Sequence, residues 1–86
     1  MYPYIVEYLG TLLLIGAVAF TGNPVMIVAA LAVALGLGAK ISGGHFNPGI
    51  SFWAWLAGKI PTHTLGMYVG AQAAAAATIW ILQTVM

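Results

Sequence analysis

Few side chains in this sequence can do chemistry. The only carboxylate is Glu7, the only cations are Lys40 and Lys59, and the histidines are His45 and His63. No serine–histidine–acid set, phosphate loop or pair of carboxylates can be assembled from one glutamate and two histidines, so the sequence does not read as an enzyme. Without cysteine there is no disulfide and no thiolate metal site. His45 has no nearby ligand set, so no metal and no cofactor is expected. What remains is hydrogen bonding, concentrated in Ser42-Gly43-Gly44-His45-Phe46-Asn47-Pro48-Gly49. The Asn47 amide can donate to a passing water or hydroxyl oxygen. Gly43, Gly44, His45 and Phe46 can offer backbone carbonyls as a ladder of acceptors, the glycines permitting close approach. Such a ladder replaces part of a solute's hydration without holding it tightly, as fast permeation requires.

The setting of this stretch is almost uncharged. Of 86 residues, 63% are hydrophobic and 3% charged, and the mean hydropathy is +1.05. A soluble domain carries about 25% charged residues, so the composition indicates an integral membrane protein embedded in a lipid bilayer. There is no arginine, and two lysines make no nucleic-acid footprint. The N-terminus lacks the basic region of a secretory signal, has Glu7 in its place, and leads into further apolar sequence.

The expected architecture is an all-α membrane protein with three transmembrane helices and one re-entrant half-helix. The helices are expected at about 4–21, 24–40 and 62–85, the half-helix at 48–57, in a single domain 1–86. Thr21-Gly22-Asn23-Pro24 reads as a short turn, and Asn47 can cap the half-helix with Pro48 at its first position. Pro48 to Ala57 is apolar and aromatic, but at about ten residues too short to span. Non-helical backbone survives at membrane depth only where protein buries it or where it lines a wet cavity. The stretch before Asn47 is therefore expected to dip into the membrane. Were it a plain surface loop, Phe52, Trp53, Trp55 and Leu56 would lie exposed or in the interface. Rows of small residues, Ala30/Ala34/Gly38 and Gly66/Gly70/Ala74, are expected to let helix backbones approach. Tyr2, Tyr4, Trp53, Trp55 and Trp80 read as packing or interfacial belt residues, and His63 as an interface residue opening the third span.

These motifs resemble the aquaporin and glycerol-facilitator (major intrinsic protein) family. Residues 41–50 are similar to its first signature loop, with Gly49 where an alanine is usual. Glu7 with Gly10-Thr11 is similar to its opening Glu-x-x-Gly-Thr helix, and Ala71-Gln72 to an alanine–glutamine pair in the helix after the loop. Family members usually hold two such halves in inverted orientation, whereas this sequence matches one. The resemblance thus implies half of an aquaporin-like fold. It implies that Glu7 accepts hydrogen bonds from buried loop backbone, with Gln72, Pro48 and Gly49 as further scaffold. It implies that Asn47, Gly43, Gly44, His45 and Phe46 line a pore, His45 either at its mouth or holding the loop by hydrogen bonding. The positions matching the family's narrow filter are Ile27, Leu35 and Ile50, the last where an arginine is usual in the second half.

The function implied is a passive channel for water or small neutral solutes such as glycerol. One half cannot enclose a pore, so an antiparallel homodimer is the smallest conducting unit, with four pores from eight chains as a further possibility. Lys40 and Lys59 fall on the side of the N-terminus, a weak bias that permits dual insertion. The alternatives are a non-conducting structural membrane subunit of the same fold and a proton or ion leak opened by the missing arginine.

Overall fold

A computed structural model describes residues 2–86. Its four helices are α1 (Tyr2–Thr21), α2 (Pro24–Ser42), α3 (Pro48–Leu56) and α4 (Thr62–Val85). α1, α2 and α4 have 20, 19 and 24 residues and are apolar enough to cross a membrane. At a rise of about 1.5 Å per residue, nine-residue α3 reaches less than halfway across a hydrocarbon core of about 30 Å. The architecture is that of an all-helical half of an aquaporin-like fold.

Helix boundaries follow local chemistry. Asn23 opens α2 in an extended conformation, its side chain accepting from Val25 N and Met26 N, with Pro24 at the first position. α2 runs two residues beyond Lys40, because the stop signal is Gly43. With φ 91° that residue adopts the left-handed conformation that closes helices, and its N–H bonds Ala39 O at 2.8 Å. α3 ends similarly, with Lys59 N donating to Ala54 O at 2.8 Å across the turn at Gly58.

α1 packs against α2 on one side and α4 on the other, and α3 lies against α4. Among the described residues, α2 and α4 do not pack on each other. The result is an open row, α2–α1–α4, with the dipping segment and α3 on one face. The small-residue rows behave differently from one another. Ala30, Ala34 and Gly38 are buried on α2, whereas Gly66, Gly70 and Ala74 on α4 are exposed, nothing standing within 4 Å of a Cβ built on either glycine. Within one chain the second row packs against nothing, because α4 turns Tyr68, Gln72, Ala75 and Ile79 to the core instead. Gln72 must reach Glu7, and that requirement fixes the rotation of α4.

α1 crosses and α2 returns, so the segment 43–47 enters from the end at which α1 begins. Ring contacts from Tyr4 to His63 (6.5 Å between centroids) and Tyr68 (5.9 Å) place the starts of α1 and α4 side by side. Lys40 and Lys59 are exposed at this same end, the latter with its ammonium 5.7 Å from the Trp53 ring. Tyr2, Trp53 and Trp80 expose more than half their surface, as residues facing lipid or its interface do.

Candidate functional site

The dip is built around Glu7. Its side chain is 0% exposed, and four donors converge on the two oxygens. Oε2 accepts from Ser42 Oγ at 2.6 Å and His45 N at 3.0 Å. Oε1 accepts from Phe46 N at 2.8 Å and Gln72 Nε2 at 3.0 Å. A carboxylate suits this place because it supplies several acceptor sites and no donor. It takes up two main-chain N–H groups that lipid could not satisfy, each of which would cost about 1–3 kcal/mol if left unpaired.

The amides of Gly43 and Gly44 are also occupied. Gly43 N bonds Ala39 O, and Gly44 N bonds Ser42 Oγ at 3.2 Å. Ser42 O accepts from Tyr68 OH at 2.6 Å. By contrast, the carbonyls of Gly43, Gly44, His45 and Phe46 accept no hydrogen bond from the described residues. Residues 43–46 are thus polarised: their N–H groups are spent on the protein and their carbonyls are left over. A row of unpaired acceptors is stable only where water reaches it.

Phe46 anchors the dip. It holds φ 52°, unusual for a residue with a side chain, and its ring is 2% exposed. A Cβ on Gly10 would overlap that ring, and one on Gly38 would meet Val6 as well as the ring. These two glycines form the seat, one from each helix, that lets the ring compensate the backbone strain. Phe46 therefore has only its main chain to offer a solute.

Asn47 starts α3 in an extended conformation, with Pro48 at the first helical position. Its Oδ1 accepts from Gly49 N at 2.6 Å. The cap occupies the carbonyl end of the amide and leaves both Nδ2 hydrogens free on an exposed side chain. Gly43 is likewise exposed and His45 half-buried, while Gly44 is buried beneath Leu35, whose Cδ2 stands 2.7 Å from a built Cβ. Gly49, Pro48 and Ile50 are exposed around the same helix start.

Ile27, Leu35 and Ile50 are not brought together within one chain. Leu35 leans on the loop, whereas Ile27 lies in the first turn of α2, about 24 Å along the helix from the loop's entrance at Gly43. Ser42, Ser51 and Tyr68 hold the network together and were not singled out by sequence reasoning. Ser51 had a signal: it is the one hydroxyl in the apolar run Pro48–Leu56 and lies one turn after Asn47. Its side chain is 0% exposed and bonds both Gln72 Nε2 and His45 Nδ1 at 2.9 Å.

No solved structure was found to match the chain. The sequence model of the major intrinsic protein family matches residues 11–86. That match spans the second half of α1, α2, the dip, α3 and α4, so the chain belongs to the major intrinsic protein family, integral membrane channels for water or small solutes.

Proposed function

We propose that this chain is one half of a passive pore for water or small uncharged solutes, completed by a second copy inserted upside down. The observation that carries this reading is the polarised dip: four consecutive carbonyls without a partner among the described residues, ending at an asparagine whose amide hydrogens none of those residues takes up. Acceptors followed by a donor at a helix N-terminus suit a chain of waters or hydroxyls, and the positive helix end disfavours cations.

The open row of helices supports a partner in inverted orientation. α3 stops partway, and only a half entering from the opposite face can meet Asn47 near the bilayer centre. A twofold axis in the membrane plane that closes the row into a ring puts α2 beside its own copy and α4 beside its own copy. Between Gly66 and Ala77, the exposed positions of α4 are all glycine or alanine except Met67, a surface another helix can approach closely.

In such a dimer Ile27 of one copy faces Ile50 of the other near the pore mouth. An apolar constriction without a fixed cation is expected to pass glycerol as well as water. Vesicles holding the protein should shrink and recover faster than empty ones in a glycerol gradient, and Asn47→Leu should abolish the difference. Fast water flux without glycerol flux would overturn the solute assignment. The natural chain has no cysteine, so Ala73→Cys gives a clean cross-link test of the α4 seam. Antiparallel pairing predicts a disulfide-linked dimer in vesicles, and labelling of Lys40 from both sides of the membrane.

A further inference from the structure

The hydrogen bonds around Ser51 determine which ring nitrogen of His45 carries the proton. Gln72 Nε2 donates to Glu7 Oε1 and to Ser51 Oγ, using both its hydrogens. The assignment of the amide is forced, because the atom facing a carboxylate must be the NH2 group. Ser51 therefore accepts from Gln72, and its own hydroxyl hydrogen needs an acceptor. The residue is 0% exposed, Gln72 Oε1 has no partner, and the only other polar atom bonded to Ser51 Oγ is His45 Nδ1 at 2.9 Å. Ser51 must donate to Nδ1, so the neutral ring carries its hydrogen on Nε2. The opposite ring edge stands near Gly43, with Nε2 3.2 Å from a Cβ built there. Nε2 bonds no described residue, yet it is absent from the buried atoms that lack a partner, so it reaches open surface. Tyr68 packs edge-on to the ring at 5.0 Å between centroids and limits its rotation.

We propose that Ser51, held by Gln72, is a positioning residue that locks His45 as an Nε2–H donor to permeating solute, one step outside Asn47. This rests on the reading of the dip as a pore wall. A solute oxygen entering past Gly43 then meets a fixed donor at His45 before it meets the Asn47 amide, with unpaired carbonyls between them. Two donors thus flank a run of acceptors, which suits molecules that both give and take hydrogen bonds, water and polyols among them.

The test is spectroscopic first. His63→Gln leaves a single imidazole, and His63 is exposed with only a ring contact to Tyr4. In vesicles at alkaline pH, the 15N-labelled ring should show hydrogen on Nε2 and an unprotonated, hydrogen-bonded Nδ1. Ser51→Ala should remove the hydrogen-bond shift of Nδ1, and Ser51→Thr should restore it. Hydrogen on Nδ1 in the parent protein, or an Nδ1 signal indifferent to Ser51→Ala, would overturn the proposal. For flux, His45→Phe keeps a ring and removes the donor. A fall of roughly threefold to tenfold is expected, the worth of one hydrogen bond. Unchanged flux in His45→Phe beside lost flux in Asn47→Leu would overturn the solute contact while leaving the pore intact. Unchanged flux in Asn47→Leu would instead bring down the pore reading itself, and the solute contact with it.

Discussion

Two asparagine–proline pairs in this chain start helices by the same local chemistry and end in different surroundings. Asn23 and Asn47 are both extended, both turn Oδ1 back onto the main chain, and both precede a proline at the first helical position. Asn23 caps at 2.9 Å and 3.2 Å to two amides, Asn47 at 2.6 Å to one. Asn23 follows a tight turn between spanning helices, which needs nothing from the rest of the molecule. Asn47 follows a segment whose amides at His45 and Phe46 are bound by a carboxylate 38 and 39 positions earlier. The cap makes a helix start, while the buried carboxylate decides its depth.

The largest effect in either region is expected at Glu7. Glu7→Leu strands two main-chain amides, a hydroxyl and the Gln72 amide, and should cost more than about 3 kcal/mol. Its signature is early loss of α3 protection in hydrogen exchange, with the Asn23 turn keeping native protection. If both turns loosen together, depth and capping are not separable as argued. Next comes the Phe46 seat: Gly10→Val should cost about 1–3 kcal/mol through overpacking, seen as lower thermal stability in detergent. Asn47→Ser should keep the cap and remove the free amide hydrogens, lowering flux well below the parent while changing stability by less than about 1 kcal/mol. The equivalent Asn23→Ser should leave flux per folded protein unchanged. Equal flux losses at the two sites would erase the distinction. Smallest is Asn23→Ala, expected to cost about 1 kcal/mol with conduction intact, read by thermal melting and vesicle flux.

Much of the fold was legible because lipid imposes strict rules. Apolar length announced α1, α2 and α4, and the short aromatic run after Asn47-Pro48 announced a segment that could not span. Harder to read was which face each helix would bury. The two small-residue rows look alike in sequence, yet only the α2 row is covered, because α4 is rotated to bring Gln72 to Glu7. Ser51 was passed over for a similar reason. A hydroxyl in an apolar half-helix has no evident partner until the loop, α1 and α4 converge on it.

Composition and local pattern suffice to put this chain in lipid, to locate the starts of its helices, and to break them with polar main chain at residues 43–47. Those are consequences of solvation and backbone geometry, which act on neighbours along the chain. Which groups of that interruption are satisfied and which remain free depends instead on how the helices fold together. The hydrogen bonds that His45 N and Phe46 N donate to Glu7, and the one between Ser51 and His45, depend on helices meeting at a set depth and rotation, and no local pattern encodes that meeting.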